Sequence, residues 1–247
     1  MMNQQKSLDI KVLGDSAMII KMGEGIHPSI HQQVKNLSFL LEEYPFDGFI
    51  ESVPAYNSLA VYYSPYLVHQ SKKGFQTDGS PIEKVTDYIT ALAVQISDLP
   101  VTEGRLVEIP VLYGGEFGPD LQFVAETHHL SIEEVIEIHT TPEYLVYMIG
   151  FAPGFPFLGG LDERIATPRK LTPRTSIPPG SVGIAGKQTG VYPLETPGGW
   201  QIIGRTPTDL FVPDMSPPSL LQSGDRIKFC PMTEEEYDGQ KKVKTCQ

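Results

Sequence analysis

Apolar residues near the start of the chain fall in two short runs on either side of Gly14-Asp15. The second run reads AMIIKM, and the pattern predicts extended chain over residues 9–22. From Pro28 the period lengthens. Ile30, Val34, Leu37, Leu41 and Tyr44 recur at helical spacing, so a helix is predicted, opened by Pro28 in its first turn and stopped by Pro45 and Gly48. Residues 48–53 and 59–63 read as strands about a Pro-Ala-Tyr-Asn turn, followed by a polar loop, SKKGFQTDGS, at 71–80. Ser80-Pro81-Ile82-Glu83 is a capping-box start with proline at the first helical position. Ile82, Val85, Ile89, Leu92 and Ile96 form the stripe of that helix, which reads as a core face rather than a cofactor box, and Pro100 stops it. Residues 105–113 return to strand. The order β-α-β-β-α-β is the ferredoxin-like pattern and predicts a small α/β domain over residues 1–103. That pattern carries no function by itself.

The second half reads differently. A glycine turn at 114–118 precedes a helix near 119–128 and a second helix capped by Ser131 with Glu134. Thr141-Pro142 predicts a third, short helix running into Tyr147. Residues 150–207 then hold eleven of the chain's 23 glycines, nine of its 22 prolines and its only tryptophan, Trp200. Such density usually means turns or disorder. Yet Phe151, Phe155, Phe157, Val182, Ile184, Val191 and Ile203 run through it, and a disordered linker lacks that apolar content. Short strands with close turn signals predict a barrel or sandwich over residues 104–240, with a charged tail at 241–247 that is expected to fray.

Charge narrows the partners. The 247 residues carry a formal net charge of −11, which argues against nucleic acid. The 150–207 stretch departs from this. It carries Arg164, Arg169, Lys170, Arg174, Lys187 and Arg205 against Asp162, Glu163 and Glu195, so it reads either as a face for an anionic ligand or as a set of solvated loop charges. Cys230 and Cys246 lie in no metal or redox spacing, and no pair of the six histidines has ligand spacing, so no metal site is expected. With no leader, long apolar run or lipidation box in view, the expectation is a cytoplasmic protein without a membrane partner.

Several catalytic engines have no motif here: G-x-S-x-G, H-E-x-x-H and C-x-x-C do not occur. The nearest approach to a phosphate-binding P-loop, residues 181–188, has Ser181 in place of its first glycine and Gln188 in place of its Ser/Thr. Its backbone N–H groups and Lys187 remain candidates for holding an anion. Thr167-Pro168-Arg169 and Thr172-Pro173-Arg174 place two arginines on restrained backbone, suited to a carboxylate or phosphate or to bonding loop carbonyls. Trp200 follows Pro197-Gly198-Gly199 and reads as a core plug or a pocket wall. His139 reads as a structural histidine or a base.

Four blocks in this order, GFAPGFPFLGGL, ATPRKLTPR, PPGSVGIAGKQTGVYP and TPGGWQIIGRTP, resemble the signature blocks of the 5-oxoprolinase B-subunit family, also called KipI or allophanate hydrolase subunit 1. Gly14-Asp15, IPVLYGGEFGPDL and His139 extend the resemblance upstream. It implies an α+β protein: a small ferredoxin-like α/β N-terminal domain followed by a cyclophilin-like β-barrel C-terminal domain. It implies work with the A and C subunits of 5-oxoprolinase in the ATP-dependent opening of 5-oxo-L-proline to L-glutamate. ATP would then be used by the assembled complex, since this chain has no nucleotide motif. Two further roles of the family are inhibition of a sensor histidine kinase and half of a biotin-dependent carboxyltransferase. Residue type and motif position then nominate Arg169, Arg174, Lys187 and Arg205 as ligand-orienting cations. Gln188 and Thr189 are candidate hydrogen-bonding groups, Phe151, Phe155 and Trp200 candidate pocket walls, and His139 a candidate acid or base.

Overall fold

The computed structural model describes residues 8–71, 74–75, 78–99 and 103–245. The helix stop at Pro100, positions 72, 73, 76 and 77 of the polar loop, and Cys246 lie outside them. The chain divides into two compact units, Met1–Thr102 and Glu103–Gln247.

The first unit contains β1 (Asp9–Val12), β2 (Ala17–Lys21), α1 (Pro28–Glu43), β3 (Phe49–Pro54), β4 (Ser58–Tyr63), α2 (Pro65–Gln70) and α3 (Pro81–Ala93). Its sheet has the order β1-β2-β4-β3, antiparallel throughout. Strand alternation sends Met18 and Ile20 of β2, and Leu59, Val61 and Tyr63 of β4, to one face. There they meet Val34, Leu37 and Leu41 of α1 and Val85 and Ile89 of α3. The capping box of α3 is formed: the Ser80 N–H donates to the Glu83 carboxylate, and the Glu83 N–H donates to the Ser80 hydroxyl.

The ferredoxin-like reading needs correcting at both ends. Residues 9–22 make a hairpin rather than one strand, and β1 occupies the sheet edge beside β2. The strand at 105–113 does not return to this sheet. It pairs instead with two strands of the second unit, where Ile109 and Val111 are fully buried.

That second unit contains β5 (Leu106–Tyr113), α4 (Leu121–His128), α5 (Ile132–Thr140), β6 (Tyr144–Ile149) and β7 (Pro156–Gly159). They are followed by β8 (Arg174–Ile177), β9 (Ser181–Ala185), β10 (Gln188–Val191), β11 (Thr196–Gly198), β12 (Gln201–Arg205), β13 (Arg226–Pro231) and α6 (Glu234–Thr245). Seven strands close a barrel in the order β10-β7-β6-β13-β5-β12-β9. Val146, Leu158, Val182, Ile184, Val191, Ile203 and Ile227 fill its interior together with Val124, Val135 and Ile138 of α4 and α5. The helix expected from Thr141-Pro142 into Tyr147 is strand β6, because alternate residues Tyr144 and Val146 are needed in the barrel core. The charged C-terminal stretch, expected to fray, is helical over Glu234–Thr245. Thr233 and Glu236 exchange capping hydrogen bonds at its start, and Tyr237 is buried against Phe117 with ring centroids 4.8 Å apart.

Outside the barrel, β8 and β11 form a two-stranded ribbon. With residues 151–157 it goes with a second core on the outer face of β9, β10 and β12: Phe155, Ile177, Ala185, Tyr192, Trp200 and Ile202. Two glycines make room for the rings. A Cβ at Gly190 would stand 3.1 Å from Trp200 and 3.2 Å from Phe155, and one at Gly198 would stand 2.5 Å from the Tyr192 hydroxyl.

Candidate functional site

Most of the nominated residues converge on this outer core. Trp200 is buried and meets Phe155 edge-on at 5.6 Å, and Tyr192 packs edge-on against both rings. Phe151 stands against Phe155 at 5.6 Å but is 72% exposed, with φ of 70°. The tryptophan is therefore the plug of the outer core, and Phe151 is the part of the aromatic group open to a ligand or partner. Burial pushes the Tyr192 phenol up to about 12, so it stays a neutral donor.

Asp120 organises the cations beside this core. One of its carboxylate oxygens accepts from Arg174 at 2.8 Å and Lys170 at 3.0 Å, and the other accepts from the Ile202 backbone N–H at 2.7 Å. Burial alone would raise its pKa. The hydrogen bonds from Arg174, Ile202 and Lys170 outweigh that and hold it below the usual carboxylate range. Arg174 also reaches the Trp200 carbonyl at 3.4 Å. The loop between the two Thr-Pro-Arg triplets is stitched down elsewhere too. The Lys170 N–H donates to Gly199 O, Gln201 donates to Pro168 O, and the Gly186 N–H donates to Thr167 O. Arg169 differs from its neighbours. It is exposed, has no hydrogen bond or ion pair among the described residues, and lies 6.0 Å from the Trp200 ring centroid.

The other nominated residues are placed apart. Lys187 sits in the β9–β10 turn and pairs with Glu163, both exposed. The P-loop-like segment is the two strands of that hairpin, with β9 flanked by both β10 and β12, so its N–H groups serve the barrel ladder. They do not fit the phosphates of ATP. Gln188 is partly exposed at the start of β10. Thr189 points into the barrel, where it meets His139.

His139 is fully buried, and both of its ring nitrogens are engaged. The Thr189 hydroxyl donates to Gly183 O at 3.1 Å, so it accepts from His139 Nε2–H at 2.8 Å. Nδ1 is then the acceptor for the Tyr113 hydroxyl, also at 2.8 Å. The ring stacks on Phe229 with centroids 4.7 Å apart. Burial drives its pKa down to about 3 and raises that of Tyr113 well above the ordinary tyrosine value, so the network is held neutral. In this geometry the histidine positions α5 against β5 and β10.

Arg205, at the far end of β12 from Trp200, lies over the Phe117 ring at 5.3 Å. Asp120, Tyr192, Tyr113 and Phe117 were not nominated from the sequence. Asp120 stands within IPVLYGGEFGPDL, where only that motif pointed to it.

Comparison with known proteins defines the class first. Residues 8–221 match the family model for the carboxyltransferase domain, subdomain C and D, and the chain belongs to that family. Within it, the chain is 53% identical to the B subunit of 5-oxoprolinase from Bacillus subtilis over 94% of this chain and 96% of that protein. It is 41% identical to the B subunit of 5-oxoprolinase from Haemophilus influenzae over 90% of this chain and 97% of that protein. Among solved structures, an uncharacterized conserved protein from Pyrococcus horikoshii, PH0987, is 46% identical with a TM-score of 0.54, covering 92% of this chain and 99% of that one. The chain is a member of the 5-oxoprolinase B-subunit family.

Proposed function

We propose that this chain is a non-autonomous subunit of an ATP-dependent 5-oxoprolinase that opens 5-oxo-L-proline to L-glutamate with the A and C subunits of that enzyme. The observation that carries this reading is the near-full-length similarity to relatives named as the B subunit of 5-oxoprolinase. In the reaction the lactam C–N bond breaks, water supplies the hydroxyl to the carbonyl carbon, and the ring nitrogen takes up protons as it becomes an amine. ATP is consumed on the other subunits.

The role of this chain is to hold an anion beside an aromatic wall. Arg169 carries it, because its guanidinium is open while Trp200 sets its position. Arg174 and Lys170 are already neutralised by Asp120, so they fix the loop. Phe151 extends the wall outward. His139 is left out of the reacting groups, since it is buried, neutral and fully bonded.

The test is turnover of 5-oxo-L-proline with ADP release in a mixture of the three purified subunits. Turnover should require this chain. Undiminished turnover in its absence would refute the proposal.

A further inference from the structure

Four consecutive residues, Gly199 to Ile202, grip the Thr-Pro-Arg loop from one side. Gly199 O accepts from the Lys170 N–H at 2.7 Å, and Trp200 O accepts from Arg174 at 3.4 Å. The Gln201 side chain donates to Pro168 O at 2.9 Å. Ile202 is joined to Asp120 twice: its N–H donates to the carboxylate at 2.7 Å, and its carbonyl accepts from the Asp120 N–H at 2.8 Å. The neighbours of Arg169 on both sides are thereby held, Pro168 by its carbonyl and Lys170 by its N–H. The Arg169 guanidinium itself stays exposed beside the Trp200 ring.

Asp120 ties this grip to the loop. Its backbone and one carboxylate oxygen hold the start of β12, while its other oxygen takes both Lys170 and Arg174. Two cations converge on that oxygen, so the bond depends on a charged acceptor. Pro168 and Pro173 fix their own φ and leave the loop few other conformations. An arginine carried on such a restrained backbone gives up less freedom when it binds a ligand.

We propose that Asp120 is a positioning residue for Arg169: through Lys170, Arg174 and Ile202 it holds the loop so that the Arg169 guanidinium is presented to the carboxylate of 5-oxo-L-proline. The inference rests on the 5-oxoprolinase reading and on Arg169 as its anion-binding group. Asp120 touches no substrate atom in this arrangement. Loss of its charge acts on substrate binding by releasing Arg169, and therefore costs nothing further once Arg169 is gone.

The experiment is a double-mutant cycle in the mixture of the three purified subunits, with Asp120→Asn, Arg169→Ala and the two combined. Values of kcat and KM for 5-oxo-L-proline are read from ADP release, at a temperature below the unfolding transition of every variant. Asp120→Asn should raise KM roughly 3- to 10-fold with kcat within about twofold of wild type. The combined variant should match the KM of Arg169→Ala alone to within about twofold. Lys170→Gln cuts one of the two side-chain bonds to Asp120 and leaves Arg174 in place, so it takes the place of Asp120→Asn in the same cycle, under the same criteria, if that variant does not fold. The positioning role is overturned if the folded variant loses kcat with KM unchanged, as a general loss of active protein would give, or if the two KM effects multiply in the combined variant. An unchanged KM in Arg169→Ala overturns it as well. Turnover that does not need this chain refutes the 5-oxoprolinase reading and the proposal with it, whereas multiplying effects in a mixture that does need the chain remove the positioning role alone.

Discussion

Asp120→Asn isolates the anchor beneath the Thr-Pro-Arg loop. The substitution keeps its one oxygen for the Ile202 N–H and turns an amide donor toward Arg174 and Lys170. Removing one member of a fully buried ion pair costs about 3–5 kcal/mol. Here the carboxylate is buried, but the Arg174 and Lys170 side chains keep 27% and 32% of their exposure, so water recovers part of the loss. The expected destabilisation is about 2 kcal/mol at pH 7. Its pH dependence is set by the sign of the shift. Asp120 titrates below its unfolded value, so its stabilisation is complete above the unfolded pKa near ~4 and is lost as pH falls through the folded pKa. The gap between wild type and Asp120→Asn should therefore be constant from about pH 7 to 5 and should narrow below about pH 4. Urea unfolding followed by fluorescence measures this directly, because Trp200 is the only tryptophan and lies in the same unit as Asp120. A gap below about 0.5 kcal/mol at pH 7, or one of equal size at pH 3, would refute the account of Asp120 as the charged anchor.

Three further outcomes are expected. His139 is neutral in the folded state with a pKa of about 3, whereas the unfolded chain binds a proton below about 6.5. As pH is lowered from the upper of those values to the lower, stability should thus fall by up to about 1.4 kcal/mol per pH unit, and His139→Gln should remove about one proton from that slope. Unfolding curves at pH 4, 5 and 6 give both slopes, and equal slopes would count against the burial account. A Cβ at Gly118 would stand 2.0 Å from Ile203 O and 2.6 Å from Gly114 N, both backbone atoms, so Gly118→Ala should cost about 3 kcal/mol. Thermal denaturation reads that loss. Arg169→Ala should leave stability within about 0.5 kcal/mol, as expected for an exposed residue with one cation–π contact, while raising KM for 5-oxo-L-proline in the assembled system.

Helices α1, α3, α4 and α5 were legible because each carries its own local signal. The S-x-x-E boxes at Ser80 and Ser131 both form as capping boxes, and each is followed by an apolar stripe that is buried. Partner choice between strands was not local. Nothing in residues 105–113 says which sheet will take them, and the answer depends on β13, more than a hundred residues later in the chain, pairing with β5 in parallel. The short helix predicted at Thr141-Pro142 failed for the same reason, since β6 is held by its pairing with β7 and β13. In the candidate site the sequence exposed residue types but not their partners. Six cations in one stretch looked alike as letters. Their differences come from acids brought in by folding, above all Asp120, which stands fifty or more residues before the cations it binds.

Those pairings leave two guanidinium groups without an acid among the described residues, and of the two Arg169 is the exposed one. Arg164 pairs with Asp162, Lys187 with Glu163, and Lys170 and Arg174 with Asp120. Arg169 and Arg205 are left without an acid among the described residues, at opposite ends of β12. Arg169 is exposed, whereas Arg205 is half-buried with its Nε covered, so Arg169 is the one placed to meet a ligand. Their kinetic signatures should separate as well. If Arg169 holds the reacting lactam, its removal should depress kcat/KM for 5-oxo-L-proline at every concentration of a competing carboxylate. Arg205→Gln, at a guanidinium packed over Phe117, should instead lower stability and leave kcat/KM unchanged. An equal loss of kcat/KM in Arg169→Ala and Arg205→Gln would contradict this division between the exposed and the packed arginine.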